Sequence, residues 1–269
     1  MKKPLFLGSK FFPKKEENLM GTVDDVSASR ENFISDRPNN LNFLLEKRYA
    51  WINDIISNEE KGIEVGCGNG LSKLFLSDKN YLLTDNSNYP WIDRKIDALH
   101  IPLCDASLDY IISSNMIHHL AKPYIFFNEC SRVLKPGGKL IIQEINNSLF
   151  LRLILRIMRH EGYSYEVDPF DENSICNDPD DLWSGNNAIP NLLFDHMKKF
   201  ENHFKYKCIF QKHTEFLIFP LSGGVTAKTK TIQLPLSILK LIHGIDRFLI
   251  RISKNTFALQ RKIVLEKIG

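Results

Sequence analysis

A glycine-rich bend constrains this chain more than any other feature. Residues 62–65 read Gly-Ile-Glu-Val, a short apolar strand. They lead directly into Gly66-Cys67-Gly68-Asn69-Gly70 and then into an apolar stretch, 71–76, that opens a helix. Glycines in a strand-loop-helix context let the backbone bend and approach a ligand closely. The spacing narrows which ligand. A dinucleotide fingerprint G-x-G-x-x-G requires glycine at the position held by Leu71, and the Gly-Lys-Ser/Thr of a P-loop is absent. NAD and ATP both lose ground. About 20 residues beyond Glu64, the acid of the first strand, comes Asp85 at the end of a second strand, where a carboxylate can accept hydrogen bonds from both hydroxyls of a ribose.

Around this bend, strand and helix patterns take turns. Apolar residues at helical spacing over 40–56 predict an amphipathic helix. Strands are expected at 62–65, 81–84, 108–113 and 139–145, with a helix over 123–134 and a turn at Pro136-Gly137-Gly138 before the last of these strands. Such alternation is the pattern of a doubly wound parallel sheet. Beyond Asn147 the pattern changes. A helix over 150–158 is followed by a long loop over 162–190 that suits a lid, a helix over 191–204, and two late strands at 206–216 and 257–268. A helix over 235–253 lies between those strands. Residues 1–38 show no sustained periodicity and read as a loosely ordered arm.

Composition bounds the function classes. With 269 residues, 43% hydrophobic, the chain can bury one large core, and a net charge of +3 gives no electrostatic case for nucleic acid. Charge is unevenly placed: eight acids and no Lys or Arg fall in 161–181. The five cysteines, at 67, 104, 130, 176 and 208, form no C-x-x-C pair. Scatter and an odd total argue against a disulfide framework and a zinc site, and no ligand cluster in the sequence points to a metal. The first residues lack the apolar core of a secretory signal. Arg152, Arg156 and Arg159 keep the best apolar run below the roughly 18 residues that span a bilayer. A cytoplasmic protein is the expectation.

Five segments together resemble the class I S-adenosylmethionine-dependent methyltransferases, in particular the type 11 group that includes ubiquinone and menaquinone methyltransferases. They are Ile63-Glu-Val-Gly-Cys-Gly-Asn-Gly70, Asp85, Asp97-Ala98-Leu-His-Ile-Pro102, Leu108-Asp-Tyr-Ile-Ile-Ser-Ser-Asn115 with Ile117-His-His-Leu120, and Arg132-Val-Leu-Lys-Pro-Gly-Gly-Lys-Leu140. The resemblance implies an α/β, Rossmann-like, seven-stranded sheet with the last strand antiparallel, plus cap insertions. It divides the chain into the arm, a cofactor-binding core over 39–147, an acidic cap over 148–190, and the rest of the core over 191–269 with a helical insertion near 221–256. S-adenosylmethionine is the implied cofactor. Glu64, Gly66, Cys67, Gly68 and Gly70 would surround its methionine part, Asp85 with Asn86 its ribose, and Asp97 with Ala98 its adenine, while Ser113 and Asn115 would border the sulfonium. Each has a plainer reading: Glu64 as a helix cap, Asp97 as a turn residue, Asp85 as the start of an Asx-turn. Their co-occurrence favours the ligand reading.

A hydroxyl acceptor needs its proton removed near the methyl group, and His119 and His118, just past the fourth strand, are the nearest catalytic candidates. At least one of the pair also suits a structural role. The distal half is expected to carry acceptor identity, with Tyr163, Trp183, Asn186 and Asn187 as substrate-binding residues; an indole face and amide groups suit a sugar ring. This half is similar to methyltransferase-domain proteins of bacterial surface-polysaccharide synthesis, which points to a small-molecule or lipid-linked glycan acceptor. A quinone-type C-methyltransferase and a catalytically silent cofactor- or partner-binding relative are the alternatives. The apolar and basic stretch 235–253 suits either the anionic inner-membrane surface, as a peripheral contact, or packing against the protein's own sheet.

Overall fold

The computed structural model describes residues 8–14, 17, 26–76, 78–159, 161–181, 184–225 and 230–269. In chain order the strands are β1 (Lys10–Phe11), β2 (Lys61–Val65), β3 (Asn80–Asp85), β4 (Arg94–Lys95), β5 (Leu108–Ser114), β6 (Leu134–Ile145), β7 (Tyr163–Ser164), β8 (Tyr206–Thr214) and β9 (Gln260–Lys267). The helices are α1 (Val26–Asp36), α2 (Asn39–Tyr49), α3 (Pro123–Val133), α4 (Leu149–Met158), α5 (Ile189–Phe194), α6 (Met197–His203), α7 (Ile218–Ser222), α8 (Leu236–Ile252) and α9 (Lys254–Phe257). Seven strands form one sheet in the order β4-β3-β2-β5-β6-β9-β8. Strands β2 to β6 pair in parallel, and β9 runs antiparallel to both β6 and β8. The expected seven-stranded α/β sheet with its last strand reversed is what the chain builds.

Strand alternation sorts the core into two layers. On β5, Ile111 faces one layer while Tyr110 and Ile112 face the other. On β6, Leu140 and Ile142 are likewise opposed to Ile141. One layer gathers Phe126, Phe127, Phe194 and Phe200 from α3, α5 and α6, and the other gathers Leu44, Leu45 and Ile52 beside α2. With both faces covered, the central strands are near-continuous apolar runs, which is why they were legible.

Several local expectations shift. Strand β4 carries only exposed Arg94 and Lys95, so it offers no apolar signal and is held by pairing with Thr84 and Asp85. The stretch after the glycine bend makes a 3-10 turn, Leu71–Leu74, instead of a full helix. The helix expected over 191–204 is broken where His196 leaves helical geometry at φ −119° and ψ 66°. Within the arm, residues 26–36 form α1, anchored by buried Val26 and Phe33, and β1 pairs with β7. With only those two side chains buried, α1 has no apolar periodicity to betray it.

Helix α8 owes its orientation to an acid. Asp246 is 1% exposed, and its carboxylate accepts the backbone N–H groups of Phe216, Leu217 and Ile218 at 2.9–3.2 Å. These are donors at the start of α7 that have no partner within their own helix. Leu239, Asp246 and Ile250 therefore face inward, and Leu241, Phe248 and Ile252 stay 65%, 64% and 63% exposed. The packing of this stretch against the protein's own sheet thus accounts for only one of its apolar faces.

Candidate active site

The carboxyl ends of β2, β3 and β5 meet at a crevice, the place where open α/β sheets hold ligands. Val65 hands the chain to the glycine bend, where Gly66, Gly68 and Gly70 take φ of 63°, 51° and 59°. A Cβ on Gly66 would lie 2.3 Å from Cγ of Met116, so glycine is needed for the loop and Met116 to close together. At Gly68 a Cβ would meet nothing within 4 Å. There the loop opens onto a cavity of about 500 Å³, within the usual range of small-molecule sites. The bend is held from behind: the Trp91 indole N–H donates to the Gly68 carbonyl at 2.8 Å and the Arg30 guanidinium to the Asn69 carbonyl at 2.6 Å.

Asp85 faces the bend. Its Oδ2 accepts the Gly68 N–H at 2.9 Å and its Oδ1 the Ser87 N–H at 2.8 Å. A carboxylate offers about four lone-pair sites, so acceptor capacity remains for two hydroxyls. Asn86, Asp97 and Ala98 continue the wall, with Gly66, Cys67, Gly68 and Asn115. Asp97 also accepts the Leu99 N–H at 2.9 Å, so it is a turn residue and a wall residue at once. An open glycine face opposite a carboxylate with spare acceptor capacity fits an adenosine-bearing cofactor.

The far end is built by residues brought together across the fold. Glu144, 0% exposed near the end of β6, accepts the Ile117 N–H at 2.8 Å, the Ile145 N–H at 2.7 Å and the His118 Nδ1–H at 2.7 Å. Burial disfavours the charged imidazole of His118, yet the adjoining Glu144 carboxylate outweighs it, and the pKa of His118 is raised. Burial, and then His118 itself, push His119 down to about 4. The Nδ1–H of His119 donates to the Ser184 carbonyl at 3.1 Å, which leaves the lone pair of the neutral ring on Nε2. Glu161 closes the group, with Oε2 3.7 Å from His118 Nε2 and Oε1 4.0 Å from His119 Nε2. The Asn187 amide donates to Glu161 at 2.8 Å. Leu151, Ile154, Leu155 and Met158 of α4 make the adjoining wall apolar.

The cavity brings together Gly66, Cys67, Gly68, Asp85, Asn86, Asp97, Ala98, Asn115, His118, His119 and Asn187 among the residues expected from sequence. It does not bring in Glu64, Gly70 or Ser113. Glu64 is 1% exposed and receives a short hydrogen bond from Ser72, whose Oγ is bonded in turn by the Tyr81 hydroxyl at 3.0 Å. Burial lifts its carboxyl to about 7 against the opposing pull of Ser72. It braces the bend from within. Ser113 points into the core, with no hydrogen-bond partner for its hydroxyl, and the strand period of two gives its place in the wall to Ser114. Burial raises the Cys67 thiol, in keeping with a packing role.

Of the expected sugar-binding residues, Tyr163 and Asn186 do not line the cavity and Asn187 does. Tyr163 is buried at 0% exposure, with its hydroxyl accepting from Arg156 at 3.1 Å. Asn186 spends its side chain on Ser164, Cys176 and Ala188 backbone groups. Trp183 lies outside the described residues. Sequence reasoning missed Glu144 and Glu161. Glu144 is an acid inside an apolar strand, a mark of a partnered buried charge that could have been noticed; Glu161 is one of eight acids in its run and has no local mark.

Residues 63–142 match the family described as "Methyltransferase domain". The chain is similar to a probable S-adenosylmethionine-dependent methyltransferase of Mycolicibacterium smegmatis, at 31% identity over 100 residues, 33% of this chain and 39% of that protein. It is also similar to 27-O-demethylrifamycin SV methyltransferase of Amycolatopsis mediterranei, at 25% identity over 47% of this chain and 50% of that one. The matches therefore span half or less of these relatives' own length. In fold, it resembles a crystal structure of an S-adenosylmethionine-dependent methyltransferase from Archaeoglobus fulgidus, with a TM-score of 0.52 at 15% identity, covering 87% of this chain and 97% of that one. Bend, facing acid, strand order and matched segment agree: residues 63–142 carry a methyltransferase domain of the type 11 group on a class I sheet, and the cofactor of such domains is S-adenosylmethionine.

Proposed function

We propose that this protein transfers a methyl group from S-adenosylmethionine to an oxygen of a small acceptor with an apolar body. The observation that carries the reading is a single cavity running from the Gly68 and Asp85 wall to the His118, His119 and Glu161 group. Bound S-adenosylmethionine supplies an electrophilic methyl that leaves sulfur as an in-line nucleophile attacks. The protein contributes alignment and exclusion of water. The bend and Asp85 orient one partner. Met116 and the α4 wall keep the space beside it dry, and the His119 and Glu161 end receives the hydroxyl and its proton. That end favours O-methylation over the quinone-type C-methylation, as does the name of the rifamycin relative. An open route between the two ends weighs against a catalytically silent relative.

A lipid-linked acceptor, a glycan among them, suits the outer surface. Ile238, Leu241, Ile245, Phe248 and Ile252 recur at helical spacing on one exposed face of α8, with Lys240, Arg247 and Arg251 beside it. An apolar stripe edged with cations fits an anionic bilayer surface. No described helix is long and apolar enough to cross a membrane.

The test is acceptor-dependent formation of S-adenosylhomocysteine, followed by mass spectrometry of the product, over a panel of quinols and lipid-linked sugars. A product one methylene heavier at oxygen supports the reading, and methylation only at carbon refutes it. For the surface, co-sedimentation with phosphatidylglycerol but not phosphatidylcholine vesicles, lost in Leu241→Glu/Phe248→Glu, is expected. Equal recovery with and without anionic vesicles refutes the bilayer contact.

A further inference from the structure

We propose that His118, His119 and Glu161 bind a divalent first-row transition metal, of which zinc is the probe of choice, at the acceptor end of the cavity. The three donor groups lie within 4.8 Å of one another. Two neighbouring imidazoles meet a carboxylate from a distant segment, with Nε2 of each imidazole facing one oxygen of Glu161 at 3.7 and 4.0 Å. A metal bonded at about 2.1 Å to each donor in tetrahedral geometry holds them roughly 3.4 Å apart, so the side chains draw together by about 1 Å on binding.

What separates this group from a chance cluster is the layer behind it. A metal-binding histidine nearly always donates its other ring N–H to a carboxylate or a backbone carbonyl, which fixes ring and tautomer. Both arrangements are present. His118 donates Nδ1–H to Glu144 at 2.7 Å, a buried carboxylate that also accepts two backbone N–H groups, and His119 donates Nδ1–H to the Ser184 carbonyl at 3.1 Å. Glu161 has its own support in Asn187, whose amide donates at 2.8 Å and also reaches the Gly162 carbonyl at 2.9 Å. All three ligands line the cavity, so a coordination position opens onto the space meant for the acceptor. Two imidazoles and one carboxylate suit zinc or iron(II), whereas magnesium prefers oxygen ligands.

The metal's role rests on the methyl-transfer reading; its binding does not. A cation here holds the acceptor oxygen and lowers its pKa, so that the O–H bond breaks with the proton passing to water and the electron pair staying on oxygen for attack on the methyl. The imidazoles then act as ligands, and in the metal-free protein His119 and Glu161 are left to take the proton.

The experiment uses untagged protein stripped with EDTA and titrated calorimetrically with zinc chloride and, separately, with S-adenosylhomocysteine. One zinc per chain is expected. Affinity should fall by about 100-fold or more in Glu161→Gln and His119→Gln, and by about 10- to 100-fold in Glu144→Gln, where only the support is removed. Melting curves verify that each variant is folded. Magnesium should give no comparable heat. Wild-type protein that binds S-adenosylhomocysteine but no stoichiometric zinc overturns the proposal, as does zinc binding that survives in both ligand variants. Stoichiometric zinc lost in the ligand variants, in a protein that binds no S-adenosylhomocysteine, upholds the metal site and refutes the methyl-transfer reading.

Discussion

The two ends of the cavity are made in opposite ways. The cofactor end is written in the backbone: three consecutive-alternate glycines in left-handed geometry, a strand before them, and one acid at the end of the next strand. The acceptor end is written in side chains drawn from β6, the turn after β5, and the cap. No two of its key contacts, Glu144 to His118 and His118 to Glu161, are close in sequence. A backbone device needs particular residue types at fixed spacing and therefore shows up in a motif. A side-chain device needs only that distant residues meet, and the same residues elsewhere would look ordinary.

Breaking the acceptor end should leave the cofactor end standing. His119→Ala is expected to cut turnover by about 10²- to 10⁴-fold, the usual reach of a proton-handling group, while S-adenosylhomocysteine affinity holds. A parallel loss of affinity would mean that the two ends are one unit. The next effect falls on the cap. Asn186 is 0% exposed and makes four hydrogen bonds to backbone groups; Asn186→Ala should cost about 2–4 kcal/mol of stability, read from denaturant unfolding, with KM for the acceptor unchanged. A raised KM without lost stability would restore this residue to the acceptor site.

The cofactor end has its own brace to test. Glu64 has an ordinary carboxyl value of 4.5 raised to about 7 in the folded protein, by burial first. A folded value above the unfolded one means that its contribution is complete below about pH 4.5 and is lost as pH rises through about 7. Across that window, wild-type stability should decline by up to about 3 kcal/mol more than that of Glu64→Gln, measured as unfolding midpoints at pH 5 and pH 8. Matching pH slopes for the two proteins would show that Glu64 is ionised at little cost and is not a neutral brace.

This contrast also explains what the sequence revealed. The α/β alternation and the glycine bend follow from local periodicity and spacing, whereas the reversed last strand and the rest of the cofactor wall were legible only through the family resemblance, since periodicity carries no strand direction. Ser113 was misplaced by one residue, because a strand's two faces differ by one step and both Ser113 and Ser114 are small and polar. Tyr163, Asn186 and Asn187 look like binding residues in a polar loop, yet the first two hold the cap together, since a loop with little apolar content is fixed by hydrogen bonds. Asn187 reaches the cavity and there supports Glu161. The cap is pinned to the turn after β5, with Asn186 N–H donating to the His118 carbonyl at 2.9 Å and the Asn177 amide donating to the same carbonyl at 3.1 Å. Such pairings leave no trace in a single sequence.

The most direct test of the account is calorimetric titration of S-adenosylhomocysteine into the wild-type protein and Asp85→Ala. Hydrogen bonds to a charged group are each worth about 1.5–3 kcal/mol, so with two ribose hydroxyls on Asp85 the account predicts binding by the variant roughly 10²- to 10⁴-fold weaker than by the wild type. Absence of binding in a wild-type protein with an intact melting transition, or equal affinity in the two proteins, would contradict it.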